Sequence, residues 1–265
     1  SLWGILMNST DQFFISNYFG KEVFAEFSNG WMDLPFVSMI VGATSTILLP
    51  VFSKIVNENQ NASVQIKPIW KRTFEKTVMM IYPLLMYCMV FSEIIMIVLY
   101  GENYANSGIF FRFKLVINLF NLIAFAPLML ALGATKYYAK SIAIGAIFTI
   151  ISDVVFINIF NTPIVIAVIS VASSFLVIFL QVRYVANYLQ VSVLELFSLK
   201  LMLSIAAISL PILLILYYVL LNYFNLSKLI ILLISLPIYC LIYLLLSSKI
   251  NINYLHMVKS IIKRE

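Results

Sequence analysis

Long apolar stretches separated by short polar segments account for most of this chain. Roughly 20 apolar residues, each rising about 1.5 Å, cross a hydrocarbon core about 30 Å thick. Eight stretches of this kind predict helices over residues 1–19, 23–54, 73–100, 107–133, 138–160, 163–188, 199–224 and 228–248. The pattern therefore predicts an all-α fold, a polytopic transmembrane bundle of about eight helices.

Composition agrees with an integral membrane domain and narrows its chemistry. The 265 residues are 63% hydrophobic and 11% charged, and the connections are too short to hold a separate soluble module. Cys88 and Cys240 lie within apolar runs, as small buried hydrophobes do, and the single histidine, His256, lies in the tail. The sequence has no nucleophile elbow, phosphate-binding glycine loop or cluster of metal ligands. We therefore expect no enzymatic activity, no cofactor and no bound metal.

Basic residues are unevenly divided between the two ends of the predicted helices. When alternate loops are assigned to opposite sides, 13 of the 17 lysines and arginines fall on one side and 4 on the other. Basic loops stay in the cytoplasm, so the tail from residue 249 is predicted inside and the 101–107 loop outside. Anionic headgroups then account for the net charge of +6, and nucleic acid is not an expected partner.

Stripes of polar side chains lie in the first two predicted helices. Asn8, Asp11 and Gln12 share one face of the first helix by i, i+3, i+4 spacing. The second stripe consists of Glu26, Asn29, Gly30 and Asp33. Because a lipid-facing charge near the bilayer centre costs at least about 2.5 kcal/mol, such stripes are expected to face a bundle interior or an aqueous cavity. Asp33 also has an alternative position among the outer headgroups.

The fourth predicted helix carries basic and amide side chains. Lys114, Asn118 and Asn121 follow i, i+4, i+7 spacing, which places them on one face, and Arg112 lies off that face. Because Lys114 precedes a long apolar run, it either faces the cavity or extends its amine outward to the headgroups. Arg112 is closer to the outer end, and an interfacial position is expected for it.

Two acidic residues lie deep in their predicted helices. Glu93 and Asp153 each stand about 12 Å from the outer helix end at the usual helical rise. Each is either a structural carboxyl that is hydrogen-bonded to a neighbour or a group that carries a coupling ion or proton. Interior prolines also predict bent helices in five of the eight spans. These prolines are Pro35, Pro50, Pro83, Pro127, Pro211 and Pro237.

Short motifs near the start of the chain carry a family resemblance. They read D-Q-F-F-I-S-N-Y-F-G at 11–20, S-N-G-W-M-D-L-P at 28–35 and G-A-T-S-T-I-L-L-P-V-F-S-K at 42–54, and V-L-Y-G-E-N-Y follows at 98–104. The chain resembles the Wzx-type O-antigen flippases and polysaccharide transporters of the multidrug, oligosaccharidyl-lipid and polysaccharide exporter superfamily. The motifs are similar to those that begin the second half of such proteins.

The resemblance implies an arrangement of domains. Members usually have two six-helix lobes, sometimes followed by an extra pair of helices. Residues 1–190 are then expected to form the second lobe, 191–248 the extra pair and 249–265 a cytoplasmic tail, with the first lobe missing. Two features depart from the family pattern: residues 161–164 replace a glycine-rich step, and Asp153 stands where asparagine is common.

The function implied by the resemblance is that of a flippase. It would move an undecaprenyl-diphosphate-linked oligosaccharide, such as an O-antigen or capsule repeat unit, across the bacterial inner membrane by alternating access between two lobes. Its implied partners are this lipid-linked substrate, the bilayer, the missing lobe and polysaccharide polymerase or export proteins. The candidate residues are Lys114 and Arg112 for the diphosphate, Asn8, Gln12, Asn118 and Asn121 for the sugars, and Asp11, Asp153 and Glu93 for ion or proton coupling.

Two other functions fit the sequence. A multidrug (MATE-like) cation antiporter would also use buried carboxylates and prolines, but its cavity needs an acidic lining, whereas a flippase needs a positively charged one. The predicted stripes carry both signs. A membrane scaffold that organises a polysaccharide export complex without transport is the third interpretation, and the charges inside the predicted helices argue against it.

Overall fold

The computed structural model describes residues 2–58, 61–123, 125–249 and 254, apart from the side chains of residues 2, 4 and 8. Across these residues the chain forms α-helices, two short 3₁₀ turns and no strand, which confirms the all-α prediction. The helices are α1 (Leu2–Gly30), α2 (Pro35–Glu58), α3 (Ala62–Val90), α4 (Ser92–Tyr100), α5 (Ser107–Asn118), α6 (Ala126–Ala131), α7 (Thr135–Phe160), α8 (Pro163–Leu189), α9 (Leu199–Tyr223) and α10 (Lys228–Lys249).

Several of these helices can cross a membrane. Five of the described helices are individually long and apolar enough, namely α2, α7, α8, α9 and α10. Helices α3 and α4 together meet the same criterion as one span that bends by 76°. With α1, α5 and α6 beside them, the count is compatible with the predicted bundle of about eight helices. The architecture is that of a multi-pass membrane protein.

A glycine interrupts the first helix close to its predicted end. Gly20 has a φ of 84°, a left-handed conformation that residues with a Cβ avoid, and α1 resumes beyond it as far as Gly30. A non-helical link, residues 31–34, then leads to Pro35, the first residue of α2. The break at Gly20 agrees with the predicted end of the first helix near residue 19, whereas the helix predicted over residues 23–54 is divided by this link. Pro35 begins a helix and does not bend one, because a proline at this position removes no intrahelical hydrogen bond.

The span predicted over residues 107–133 is interrupted in its middle. Helix α5 ends at Asn118, the described residues of the link 119–125 are not helical, and α6 begins at Ala126. The Tyr82 hydroxyl donates a 2.9 Å hydrogen bond to the carbonyl of Leu119, at the end of α5, where carbonyls lack helical donors. Pro127 lies in the first turn of α6 and therefore does not kink a continuous helix.

The third predicted helix, residues 73–100, begins earlier than expected and bends. Helix α3 begins at Ala62, and the chain turns by 76° around Phe91 before α4. Glu93 is exposed in the first turn of α4, where a carboxylate interacts favourably with the helix N-terminus. The prediction that Glu93 lies deep inside one straight helix is therefore wrong, because the chain bends just before it.

Helix α3 lies at the centre of the larger apolar core. It packs against α2, α5, α8 and α9, and its buried side chains include Trp70, Phe74 and Leu85. Helix α1 packs against α5, α7 and α8, around a smaller core that contains Ile15 and Phe27. Helices α1, α5, α7 and α8, which carry most of the candidate polar residues, therefore form one group around this smaller core.

Tyrosine hydroxyls compensate for the hydrogen bond that Pro83 removes from α3. Proline has no N–H, so the carbonyl of Met79, four residues earlier, has no intrahelical donor. The Tyr254 hydroxyl donates a 3.1 Å hydrogen bond to that carbonyl and lies 2.6 Å from the Tyr243 hydroxyl of α10. The Tyr239 hydroxyl donates to the Pro83 carbonyl at 3.0 Å. These bonds join α3 to α10 and to Tyr254 at the proline.

We expect Tyr254→Phe to lower the free energy of unfolding by about 1–2 kcal/mol, because the Met79 carbonyl would lose its donor within the apolar bundle. Tyr223→Phe is the matched control, since the Tyr223 side chain is 72% exposed. Thermal unfolding of the detergent-solubilised protein measures both changes. Equal midpoints for the two variants would show that the Tyr254 hydroxyl contributes nothing to stability.

Candidate functional site

A cavity of about 160 Å³ lies among α1, α5, α7 and α8. Its walls carry an amine, a carboxyl, an amide and three hydroxyl groups. The lining residues are Met7, Asp11, Trp31, Lys114, Ile117, Asn121, Thr149, Ser170 and Ser174. Packing of these helices therefore gathers polar side chains that would be costly in contact with lipid.

Lys114 is directed into this cavity. Its Nζ lies 3.0 Å from Oδ1 of Asp33, in the link between α1 and α2, and 5.6 Å from the centroid of the Trp31 ring. The lysine side chain is 15% exposed, whereas that of Asp33 is 69% exposed. Of the two positions that the sequence leaves open for Lys114, the structure shows the interior one.

Two carboxyl groups lie buried together where α1, α7 and α8 meet. The Ser170 hydroxyl donates a 2.6 Å hydrogen bond to Oδ2 of Asp11. Oδ1 of Asp11 and both carboxyl oxygens of Asp153 have no hydrogen-bond partner among the described residues. Asp153 is fully buried and close enough to Asp11 for the two carboxyls to interact electrostatically, and Lys114 also acts on Asp11. Such buried, unpaired acids are costly and mark a candidate site for an ion or a proton.

Hydroxyl groups of α7 and α8 form a hydrogen-bonded layer between these two helices. Thr149 donates to the Ser173 hydroxyl at 2.7 Å, and Ser173 donates to the Gly145 carbonyl at 2.9 Å. Gly145 permits this approach, because a Cβ there would collide with the side chain of Val177. The polar stripes predicted from the sequence do not include these hydroxyl groups. Their signal was helical spacing on α8, since Ser170, Ser173 and Ser174 recur at i, i+3, i+4.

A second cavity of about 320 Å³ adjoins the first. The two share the wall residues Met7, Ile117, Asn121 and Ser174. The second cavity extends along α8 to Gln181, whose amide donates a 3.1 Å hydrogen bond to the Ser141 hydroxyl of α7. The two cavities adjoin along α8, about 16 Å from Ser170 to Gln181 at helical rise. The second is lined mainly by apolar side chains, and its polar groups are Asn121, Tyr138, Ser174 and Gln181.

The amide side chains predicted to contact sugars do not all line these cavities. Asn121 lines both cavities, because the break after α5 places it between them. Asn118 is buried but lines neither cavity. Gln12 is exposed and does not share the environment of Asp11, since the packing of α7 and α8 covers only one side of α1. The side chain of Asn8 lies outside the described part of the chain.

Two charged candidates lie elsewhere. Arg112 is exposed, and its Nε donates a 3.3 Å hydrogen bond to the Met89 carbonyl near the end of α3. Glu93 is exposed at the start of α4 and lines neither cavity. Among the described residues, no three His, Cys, Asp or Glu side chains group together as metal ligands would. The charged groups that the structure brings together are Asp11, Asp33, Lys114 and Asp153.

We expect Asp153→Asn to leave stability unchanged or raise it by up to about 2 kcal/mol, because the variant keeps the shape of the side chain and removes an ionisable group that has no hydrogen-bond partner in the described part of the chain. Ser170→Ala should instead lower stability by about 1–3 kcal/mol, since Asp11 would lose its hydrogen-bond donor. Denaturant unfolding in detergent compares the two variants. A clear loss of stability in Asp153→Asn would identify Asp153 as a structural carboxyl.

One family of known proteins matches part of the chain. Residues 1–108 match the family described as polysaccharide biosynthesis protein, a range that contains Asp11 and Asp33 and stops at the start of α5. Lys114, Asp153 and Ser170 lie beyond it. No curated protein and no solved structure matches the chain. The family match and the membrane-spanning helices together indicate a membrane protein related to polysaccharide biosynthesis.

Proposed function

We propose that this chain forms one lobe of a flippase that moves an undecaprenyl-diphosphate-linked oligosaccharide across the bacterial inner membrane. The observation that carries the proposal is the cavity of Lys114, in which a nearly buried cation lies among three hydroxyl groups and the amide of Asn121. The match of residues 1–108 to polysaccharide biosynthesis proteins supports the substrate class. On this proposal residues 1–190 are the second lobe, 191–248 an added helix pair and 249–265 a cytoplasmic tail.

The chemistry of the two cavities suits the parts of such a substrate. Lys114 provides the cation for the diphosphate, and an ammonium in a nearly buried position attracts phosphate more strongly than one in water. Asn121, Ser174 and Gln181 provide amide and hydroxyl partners for sugar hydroxyls. The polyprenyl tail would remain in the surrounding lipid. Arg112, which lies away from these cavities, contributes little on this proposal.

The buried acids provide a means of coupling transport to an ion or a proton. Asp11 lines the cavity of Lys114, and Asp153 lies behind it. A cation or proton taken up by this pair would change the net charge beside Lys114 and thereby bias the lobe between two conformations. The same acids are the observation that favours the alternative of a cation antiporter, but the lysine in the same cavity opposes a cationic substrate.

A transport cavity of this kind needs a second wall. Helix α2 is the least buried of the five candidate spans, and small or polar residues recur every four positions along its exposed face. These residues are Ser38, Gly42 and Thr46. Small residues allow close approach of another membrane helix, so this face is proposed to meet the other lobe of the transporter.

If Lys114 binds the diphosphate, Lys114→Ala in the full-length transporter should reduce polysaccharide display at the cell surface by about tenfold or more. Lys114→Arg keeps the charge with a different geometry and should lose less. Arg112→Ala is the matched control, because this side chain is exposed outside the cavities. Display is measured by antibody labelling at equal protein levels. Wild-type display of Lys114→Ala would reject the anion-binding role.

The topology can be tested with single cysteines in a protein that lacks Cys88 and Cys240. We expect a cysteine at Asn103 to react with an impermeant thiol reagent added outside, and a cysteine at Glu58 to react only after the cells are opened. Both positions are exposed in the structure, so accessibility depends on the side of the membrane. Labelling of position 58 from outside would overturn the assignment of a cytoplasmic C-terminus.

A further inference from the structure

The ion pair between Lys114 and Asp33 joins two very different environments. Lys114 belongs to α5 and is 15% exposed, whereas Asp33 belongs to the non-helical link 31–34 and is 69% exposed. The two side chains meet at 3.0 Å beside the Trp31 ring. We propose that Asp33 is a resident counter-ion, which neutralises Lys114 in the absence of ligand and is displaced when a diphosphate binds.

This proposal rests on the proposed function and assigns a role to a residue that the sequence does not single out for substrate binding or coupling. The asymmetry of exposure determines which partner leaves. Asp33 can give up its contact with Lys114 at little cost, because most of its side chain is exposed and not packed against other residues. Lys114 has little access to water and requires an anion in contact with it. An incoming anion therefore replaces Asp33 at the amine, and Lys114 itself stays in place.

Other groups near Lys114 are poorly suited to the same role. Asp11 also acts on Lys114 electrostatically, but it is buried and is held by the hydrogen bond from Ser170. Glu26 is bonded to the Asn106 side chain at 3.2 Å. Asp33 lies between helices, where its backbone is not constrained by helical hydrogen bonds. It is therefore the acid that can move away from Lys114 at the lowest cost in free energy.

A counter-ion of this kind would set both selectivity and release. A diphosphate carries more negative charge than a single carboxylate and gains more from the same ammonium, so it can displace Asp33 where a monoanion gains little. When the diphosphate leaves, Asp33 returns, and the cavity does not retain an unpaired, nearly buried cation. Asp33 would thus be a specificity-determining residue that weakens binding and assists release.

Binding of inorganic pyrophosphate to the 265-residue chain in nanodiscs tests the proposal by calorimetry. We expect Asp33→Asn to tighten pyrophosphate binding about three- to tenfold, because the probe no longer competes with the carboxylate. Glu26→Gln is the control. It removes a negative charge near the end of α1, close to Asp33 in the chain, from a side chain that bonds to Asn106 and not to Lys114, and it should change the affinity less than twofold. Lys114→Met should abolish pyrophosphate binding, and Asp33→Asn should not restore it in that background, since the cation is gone.

The outcomes separate this inference from the proposed function. Unchanged or weaker pyrophosphate binding in Asp33→Asn, with binding still lost in Lys114→Met, would overturn the counter-ion role and leave the anion site intact. An equal gain in Asp33→Asn and Glu26→Gln would also overturn it, by showing a general effect of net charge. Tighter binding in Asp33→Asn but not in Glu26→Gln would support the counter-ion role. Normal polysaccharide display in Lys114→Ala would then reject the flippase proposal and leave the counter-ion role standing.

Discussion

Hydrocarbon offers no hydrogen bonds to a backbone group, and this constraint governs the arrangement of the bundle. Where a helix breaks, another part of the protein supplies the missing donor. Tyr82 reaches the carbonyl of Leu119 at the end of α5, and Tyr254 reaches the carbonyl of Met79 that Pro83 leaves without one. The breaks are therefore integrated into the packing, and they position link residues inside the bundle.

The same constraint places the charged residues. A lysine or carboxylate in contact with lipid is costly, so Asp11 of α1 and Lys114 of α5 face a cavity that α7 and α8 complete. Lys114 pairs with Asp33, and Asp11 accepts a hydrogen bond from the Ser170 hydroxyl. Asp153 remains without a partner in the described part of the chain, which makes it the most costly group of the site and a strong candidate for a role in coupling.

The family match and the site describe different parts of the molecule. The matched residues 1–108 contain Asp11, Asp33 and the break at Gly20, whereas the residues that complete the cavity lie on α5, α7 and α8. The cavity thus forms only when the matched part packs against the remainder of the chain. The matched residues therefore form only part of the cavity wall.

The sequence by itself determined the fold class and much of the cavity wall. Apolar run lengths predicted a multi-pass helical bundle, and helical spacing placed Lys114 on the polar face of its helix. Asn121 lines the same cavity because of the break after α5, which the spacing did not predict. The sequence could not separate Asp11 from its neighbour Gln12, because only the packing of α7 and α8 covers the former and leaves the latter exposed. Nor could it show that Ser170 bonds to Asp11 or that Asp33 pairs with Lys114. Local periodicity reveals which side of a helix is polar, whereas contacts between residues distant in the chain depend on how the helices pack.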